Sequence, residues 1–194
     1  MKTLTLSGII KQLALKTIPF FSLNELGGIL AINNRQTLYK RIQRLIKNKI
    51  FHQLIKGKYY FTLKEVNDFT LANFLYQPSY ISLQSALSFH GLMTGFPYQI
   101  TSITAKKPKQ LQIGEKDFNY SKIAAGLFWG WENQENFLMA KPEKALLDYV
   151  YFAAKGLVNL DWEEIDLTGL DKKILLQWAK LYGPVIYREI KSHL

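Results

Sequence analysis

Hydrophobic positions in the first third of the chain recur at helical spacing in three successive segments. Residues 6–16 carry apolar side chains three and four positions apart, which predicts an amphipathic helix. Residues 22–25 read Ser-Leu-Asn-Glu, a capping box that predicts the start of a second helix, ending at about residue 30. A third helix is predicted over about residues 35–48. Its apolar positions form one face: Leu38, Ile42, Leu45 and Ile46.

Two short β-prone runs follow the third helix, at residues 50–55 and 59–62, with Lys56-Gly57-Lys58 between them. A glycine-containing break between two such runs predicts a β-hairpin. Three helices with a tight turn before the last one, followed by a small hairpin, are typical of a winged helix-turn-helix. We therefore expect residues 1–64 to form a winged helix-turn-helix DNA-binding domain.

The pattern differs in the remaining residues, 65–194, which we expect to form an α+β domain. A linking helix is predicted over residues 63–75, with Val66 on it, and another over residues 82–91. Helices are also expected after the sheet, over about residues 142–155, 171–182 and 184–193. The β-prone runs between them predict a small, mostly antiparallel sheet: Gln99–Thr104, Gln110–Ile113, Phe118–Ile123, Leu127–Trp131 and Asn136–Met139.

Positive charge is concentrated in the first of these domains. Residues 1–64 carry twelve Lys and Arg against a single acid, Glu25, whereas residues 65–194 carry thirteen Lys and Arg against fourteen acids. Such a concentration of positive charge attracts polyanions, and its binding releases counterions from nucleic acid. We therefore expect double-stranded DNA as the partner. A basic surface that only keeps the protein soluble is the alternative explanation.

The polar side of the third helix supplies the expected DNA contacts. In a helix-turn-helix domain the last helix enters the major groove, where Arg can bind guanine and Gln can bind adenine. Lysines at the hairpin tip, and Lys47 with Lys49 at the helix end, would contact phosphates. The expected DNA-binding residues are Arg35, Gln36, Tyr39, Lys40, Gln43, Arg44, Lys47, Lys56 and Lys58.

Support for catalysis or a bound cofactor is weak. The chain has no cysteine, its three histidines lie far apart, and it contains no glycine-rich phosphate loop or nucleophile elbow. The acids that a nuclease could use, Glu143 and Asp148, are five positions apart on one predicted helix, which does not place them side by side. We expect no enzymatic activity, no cofactor and no metal site.

A membrane location is not expected either. The N-terminal apolar stretch is interrupted by Lys11 and Lys16 and lacks a small-residue cleavage site, unlike a secretory signal. The longest uninterrupted apolar run, roughly residues 123–131, is far shorter than the ~20 residues that span a bilayer. We therefore expect a cytoplasmic protein.

Several motifs resemble those of the AbiEi-type antitoxins, and they occur in the same order. Residues 78–92 read PSYISLQSALSFHGL and are similar to the SYISLxSALxxHGL segment of that family. Residues 140–148 read AKPEKALLD and are similar to its PEKALLD helix start. Ile103-Thr104 with Lys106-Lys107, and Phe118-Asn119-Tyr120, match as well. The resemblance spans essentially the whole chain.

The resemblance implies an antitoxin and transcriptional repressor of a type IV toxin–antitoxin system, a class often found in phage abortive infection. In that family the N-terminal domain represses its own operon by binding inverted repeats, and the C-terminal domain counters a nucleotidyltransferase-like toxin. A type IV antitoxin need not bind its toxin directly. The alternatives are a solitary winged-helix regulator and a protein-interaction module that binds an acidic partner. The motif residues are expected to be structural, with Tyr80, Leu83, Ala86 and Leu87 packed and Pro142, Glu143 and Asp148 anchoring a helix.

Overall fold

The computed structural model describes residues 5–65, 67–95 and 97–194. The chain separates into two compact units, Met1–Leu75 and Tyr76–Leu194. Each unit contains its own β-sheet, so the protein is a mixed α+β structure. The helix expected over residues 63–75 is observed over Asp68–Leu75 and belongs to the first unit, although the sequence placed it in the second domain. Val66, which the sequence assigned to this helix, lies outside the described residues.

The first unit contains four helices and three strands among its described residues. They are α1 (Leu6–Ala14), β1 (Phe20–Ser22), α2 (Leu23–Leu30), α3 (Arg35–Lys47), β2 (Phe51–Ile55), β3 (Lys58–Phe61) and α4 (Asp68–Leu75). The strand order is β1-β3-β2, and both pairs are antiparallel. Strand β1 was not predicted, because three residues are too few to show a period. Its pairing with β3, with Phe21 opposite Tyr59, holds it in the sheet.

Local capping fixes the ends of α2 and α3. The Ser22 side chain accepts a hydrogen bond from the Glu25 amide, and the Glu25 carboxylate accepts one from the Ser22 amide at 2.6 Å. This is the capping box expected from the sequence. At the start of α3, the Asn34 side chain accepts a hydrogen bond from the Thr37 amide at 3.0 Å. These bonds satisfy amides that have no partner inside the helix.

One apolar core joins the helices of the first unit to its sheet. Full burial of a large apolar side chain stabilises a fold by roughly 1.5–3 kcal/mol, so this cluster outweighs the local caps. Its least exposed members come from α1, α2, α3 and the two long strands: Ile9, Leu13, Leu26, Ile42, Leu45, Phe51, Tyr59 and Phe61.

The second unit combines a six-stranded sheet with four helices among its described residues. They are β4 (Ser79–Ile81), α5 (Gln84–Phe89), β5 (Gln99–Thr104), β6 (Lys109–Ile113), β7 (Lys116–Lys122), β8 (Trp131–Gln134), β9 (Phe137–Ala140), α6 (Pro142–Ala154), α7 (Lys172–Ala179) and α8 (Pro184–Ser192). The strand order is β6-β7-β5-β4-β9-β8. Three neighbouring pairs are antiparallel, whereas β5 with β7 and β4 with β9 are parallel.

The prediction of a strand over Leu127–Trp131 was wrong. Ala125–Leu127 forms a 3₁₀ turn, and strand β8 begins only at Trp131. Gly130 interrupts the extended chain with a φ of +79°. A Cβ at this position would lie 2.9 Å from Cδ of Lys144, so the backbone packs directly on that side chain. The aromatic residues of this run pack on side chains of several elements, including Tyr80 and Lys144, and do not pair as a strand before Trp131.

In the described part of the chain, every helix is too short or too polar to cross a bilayer.

Candidate nucleic-acid interface

The polar side of α3 is exposed because its apolar side is anchored in the core of the first unit. Leu38, Ile42 and Leu45 are buried, which turns the opposite side of the helix to solvent. Six of the residues expected on this helix are exposed: Arg35, Gln36, Lys40, Gln43, Arg44 and Lys47. The burial pattern thus leaves these six side chains on the solvent-exposed part of the helix.

Tyr39 is not part of this exposed set. Its side chain is half-buried and packs against the core of the first unit. The Arg35 guanidinium lies 5.9 Å from the centroid of the Tyr39 ring. Cation–π contacts of this kind contribute roughly 0.5–1 kcal/mol at exposed sites. Tyr39 therefore packs partly into the core while its ring contacts the Arg35 side chain.

The β2–β3 turn places only one of its two lysines at the tip. Lys56 is exposed there, beside Gly57, which has a φ of +78°. The Lys58 ammonium instead donates hydrogen bonds to the carbonyls of Phe74 and Leu75, at 3.0 Å for the latter, and lies 4.7 Å from the Phe74 ring. The carbonyls at a helix C-terminus attract cations. Lys58 thus caps α4 and does not lie at the tip with Lys56.

The end of α3 carries a lysine where a glycine is usual. The Ile50 amide donates to the Leu45 carbonyl and the Lys49 amide to the Ile46 carbonyl, both at 2.9 Å. This pair of bonds is a Schellman motif, whose left-handed residue is commonly glycine. Lys49 occupies that position with a φ of +58° and is exposed. The first unit therefore carries a positive charge at the end of α3, on a residue whose left-handed backbone conformation is unfavourable for residues with side chains.

The electrostatic environment of α3 and the hairpin is predominantly positive. Burial raises the pKa of Tyr60 on β3, and the Glu65 carboxylate lies close enough to add to that increase. Residues 26–64 contain no acidic residue. The single acid of the preceding segment, Glu25, has its carboxylate hydrogen-bonded to the Ser22 amide. A surface of this kind produces a field that favours anionic ligands.

A notch between α2 and α3 was not expected from the sequence. It has a volume of about 280 Å³, and its polar lining comes from Asn24, Asn33 and Arg35. Two glycines of α2, Gly27 and Gly28, form part of its wall. The sequence shows these residues on separate helices and in the turn, so no local pattern could reveal that they meet.

The two acids considered for a nuclease occupy packed positions in the second unit. Asp148 is completely buried and accepts hydrogen bonds from the hydroxyls of Tyr80, Ser82 and Tyr182, at 2.9, 2.8 and 2.6 Å. It is also ion-paired with Lys144. Separately, the Glu143 carboxylate accepts a hydrogen bond from the amide at the start of α7 at 3.0 Å.

Burial perturbs the ionisation of the groups around Asp148. It lowers the pKa of the Lys144 ammonium, and the neighbouring Asp148 carboxylate opposes this change. It raises the pKa of Tyr80 and of Tyr182 well above the ordinary value, and the negative charge of Asp148 adds to both increases. Since Asp148 has its hydrogen-bonding capacity occupied by these neighbours, the cluster holds β4, α6 and the segment after α7 together.

Comparison with known proteins shows a similarity of fold. No protein-family model matches the chain, and no curated protein matches it. Among solved structures, the RV2827C protein from Mycobacterium tuberculosis matches with a TM-score of 0.60 at 14% sequence identity. The match covers 96% of this chain and 80% of that chain. The chain is therefore similar in fold to a solved protein across nearly its whole length.

Proposed function

We propose that the first unit is a winged helix-turn-helix domain that binds double-stranded DNA through α3 and the β2–β3 turn. The observation that carries this proposal is the exposed side of α3, where six Arg, Lys and Gln side chains lie in a stretch without acids. Positive charge binds the phosphate backbone, and Arg and Gln side chains form hydrogen bonds with base edges in the major groove.

The arrangement of α2 and α3 supports the helix-turn-helix assignment. A Cβ on Gly27 would lie 3.3 Å from the side chain of Leu38, so the glycine permits close packing of the two helices. Ala31 ends α2 in a left-handed conformation, with a φ of +52°, and Asn34 caps α3. The intervening turn spans only residues 31–34. The small sheet with strand order β1-β3-β2 supports the β2–β3 turn as the wing of such a domain.

Position along α3 divides the exposed residues into two roles. Gln36, Lys40, Gln43 and Lys47 are separated by four, three and four positions, so all four project from one side of the helix, and the first three lie nearer the N-terminal end that enters the groove. These three residues contact base edges. The remaining cations, including Arg44, Lys47 and Lys56, contact phosphates on either side of the groove.

A titration of the protein with its own upstream DNA, at several salt concentrations, tests this proposal. The logarithm of the affinity should fall linearly with the logarithm of salt concentration, by about 0.9 for each phosphate contacted. Lys47→Ala should reduce this slope by about 0.9, the contribution of one phosphate contact. Lys11→Ala removes the same charge from the exposed side of α1 and should leave the slope unchanged. An affinity that does not depend on salt would contradict DNA binding.

Replacement of Gln43 tests whether α3 reads sequence. Gln43→Ala should cost about 1–3 kcal/mol on the operator but much less on an operator altered at the base pair that Gln43 contacts. An equal loss on every DNA sequence would assign Gln43 to the phosphate backbone. Binding to an acidic protein without any binding to DNA would instead favour the protein-interaction alternative.

The antitoxin function rests on the motif resemblance. The protein represses its own operon at inverted repeats and counters a nucleotidyltransferase-like toxin encoded beside it, with no stable complex assumed. Co-expression with the neighbouring gene tests this function. A Lys40→Ala, Gln43→Ala double variant should lose repression of a reporter but still restore growth, because the change lies outside the second unit. A neighbouring gene without toxicity would favour the solitary regulator.

A further inference from the structure

The notch between α2 and α3 has a polar lining that suits an anion. Asn24 and Asn33 carry amide groups that can donate hydrogen bonds, and Arg35 carries a guanidinium group with several donors. None of the described residues that line the notch is acidic. A water molecule in liquid occupies about 30 Å³, so a notch of about 280 Å³ can hold a group much larger than one water.

Gly28 is a glycine that the packing of the first unit does not require. It is exposed within α2, and apart from its chain neighbours and the backbone of its own helix nothing lies within 4 Å of the position that a Cβ would take. Its neighbour Gly27 differs, because a Cβ there would contact Leu38 at 3.3 Å. Glycine destabilises a helix interior relative to alanine, and it is used where a ligand must approach the backbone closely. Gly28 therefore leaves open a space that the protein itself does not fill.

Arg35 lies at the first position of α3, where it reaches this notch. Its guanidinium lies beside the Tyr39 ring, at 5.9 Å from the centroid, which limits the directions that the side chain can take. A guanidinium matches the geometry of a phosphate through two parallel hydrogen bonds. The position of Arg35 beside the notch therefore favours a phosphate contact over the base contact expected from the sequence.

We propose that the notch lined by Asn24, Gly28, Asn33 and Arg35 binds one phosphate group of the DNA backbone, and that the missing side chain of Gly28 admits it. This proposal rests on the proposed DNA-binding function. The bound phosphate fixes the position of α2 on the backbone and hence the depth at which α3 enters the groove. The amide groups and the guanidinium supply the hydrogen bonds, while α2 supplies a wall without side-chain bulk.

Variants at Gly28 test the proposal on the full-length protein and its upstream DNA. Gly28→Leu fills the notch and should weaken binding by about tenfold or more, as expected for the loss of a charge-assisted contact. It should also reduce the salt slope by about 0.9. Arg35→Ala should give the same reduction of slope, and the double variant should show little further loss. In a phosphate-ethylation interference experiment, one phosphate whose ethylation blocks binding of the wild-type protein should no longer affect binding of Gly28→Leu.

Matched controls separate this effect from misfolding and from failure of the proposed function. Ser7→Leu introduces the same side chain at an exposed position of α1 and should bind DNA as the wild type does. Thermal unfolding should show that Gly28→Leu is no less stable than the wild type. If it does not fold, Asn24→Ala and Arg35→Ala carry the test, since each should remove the same ethylation-sensitive position.

The outcomes are distinguishable. Wild-type affinity and slope in folded Gly28→Leu would overturn the phosphate site while leaving DNA binding intact. A loss of affinity without a change in slope or interference pattern would also overturn it, because steric bulk alone would then explain the effect. A wild-type protein that binds no DNA would refute the proposed function itself.

Discussion

The Lys144 ammonium and the Asp148 carboxylate form an ion pair in which neither side chain has any exposure to solvent. They lie four residues apart on α6, so the helix itself brings them together. The hydroxyls of Tyr80 and Tyr182 contact both members of the pair, and Ser82 contacts Asp148. Because a buried charge is costly without partners, each member of the cluster depends on the others.

Removal of one member of this pair should destabilise the second unit strongly. Asp148→Ala leaves the Lys144 ammonium buried without its counter-charge, and the expected loss in the free energy of unfolding is about 3–5 kcal/mol. Urea denaturation monitored by tryptophan fluorescence measures this loss, since all four tryptophans lie in the second unit. The Lys144→Met, Asp148→Ala double variant should lose less than the sum of the two single variants. Additive losses would show that the two charges are not coupled.

Alkaline pH should unfold the second unit through its buried tyrosines. Burial raises the pKa of Tyr80, Tyr120 and Tyr182 above 10 in the folded state. A raised pKa contributes stability below the unfolded value of about 10, and this contribution is lost as the pH rises from there towards the folded pKa. Tyrosinate absorbance against pH should therefore show these groups ionising only together with unfolding.

Phenylalanine replacements provide the control for this pH dependence. Tyr120→Phe removes one of the buried groups. At equal stability at neutral pH, this variant should unfold with a midpoint at a higher alkaline pH than the wild type. Tyr98 is 86% exposed, so Tyr98→Phe should leave the midpoint unchanged. Equal midpoints for the two variants would contradict the role of Tyr120 burial.

Lys49→Gly should stabilise the first unit while weakening DNA binding. Glycine adopts the left-handed conformation of this position without strain. Because glycine also increases the entropy of the unfolded chain, the net increase in the free energy of unfolding is up to about 1 kcal/mol. Loss of the charge should reduce the salt slope by about 0.9. Thermal unfolding followed by circular dichroism measures the stability change. Lys49→Ala removes the charge but keeps the backbone strain, so a similar stabilisation by alanine would contradict the explanation.

The two lysines flanking Gly57 should have opposite phenotypes. Lys56→Ala removes an exposed charge at the turn and should lower DNA affinity and the salt slope without changing stability. Lys58→Ala removes the cation that binds the carbonyls of Phe74 and Leu75, and should destabilise the first unit by about 1 kcal/mol. Amide hydrogen exchange in α4 measures the second effect. A reduced salt slope in Lys58→Ala would instead place its ammonium on DNA.

The sequence by itself determined the elements whose causes are local. The Ser22–Glu25 capping box and the Asn34 cap fix where α2 and α3 begin, because each hydrogen bond joins residues three positions apart. The apolar period of α3 specifies which side is buried, and therefore which polar side chains are exposed. The excess of positive charge in the first third is likewise a property of composition. These features needed no knowledge of distant contacts.

Only the tertiary structure decided the features that depend on distant segments. Strands β1 and β4 have three residues each, so their pairing partners, and not a periodic pattern, define them. Lys58 differs from Lys56 because a helix end 16 and 17 residues away binds its ammonium. The notch combines Asn24 of α2 with Arg35 of α3. Each of these contacts forms because a buried core brings remote residues together. A local sequence pattern depends only on neighbouring residues, so it does not predict such contacts.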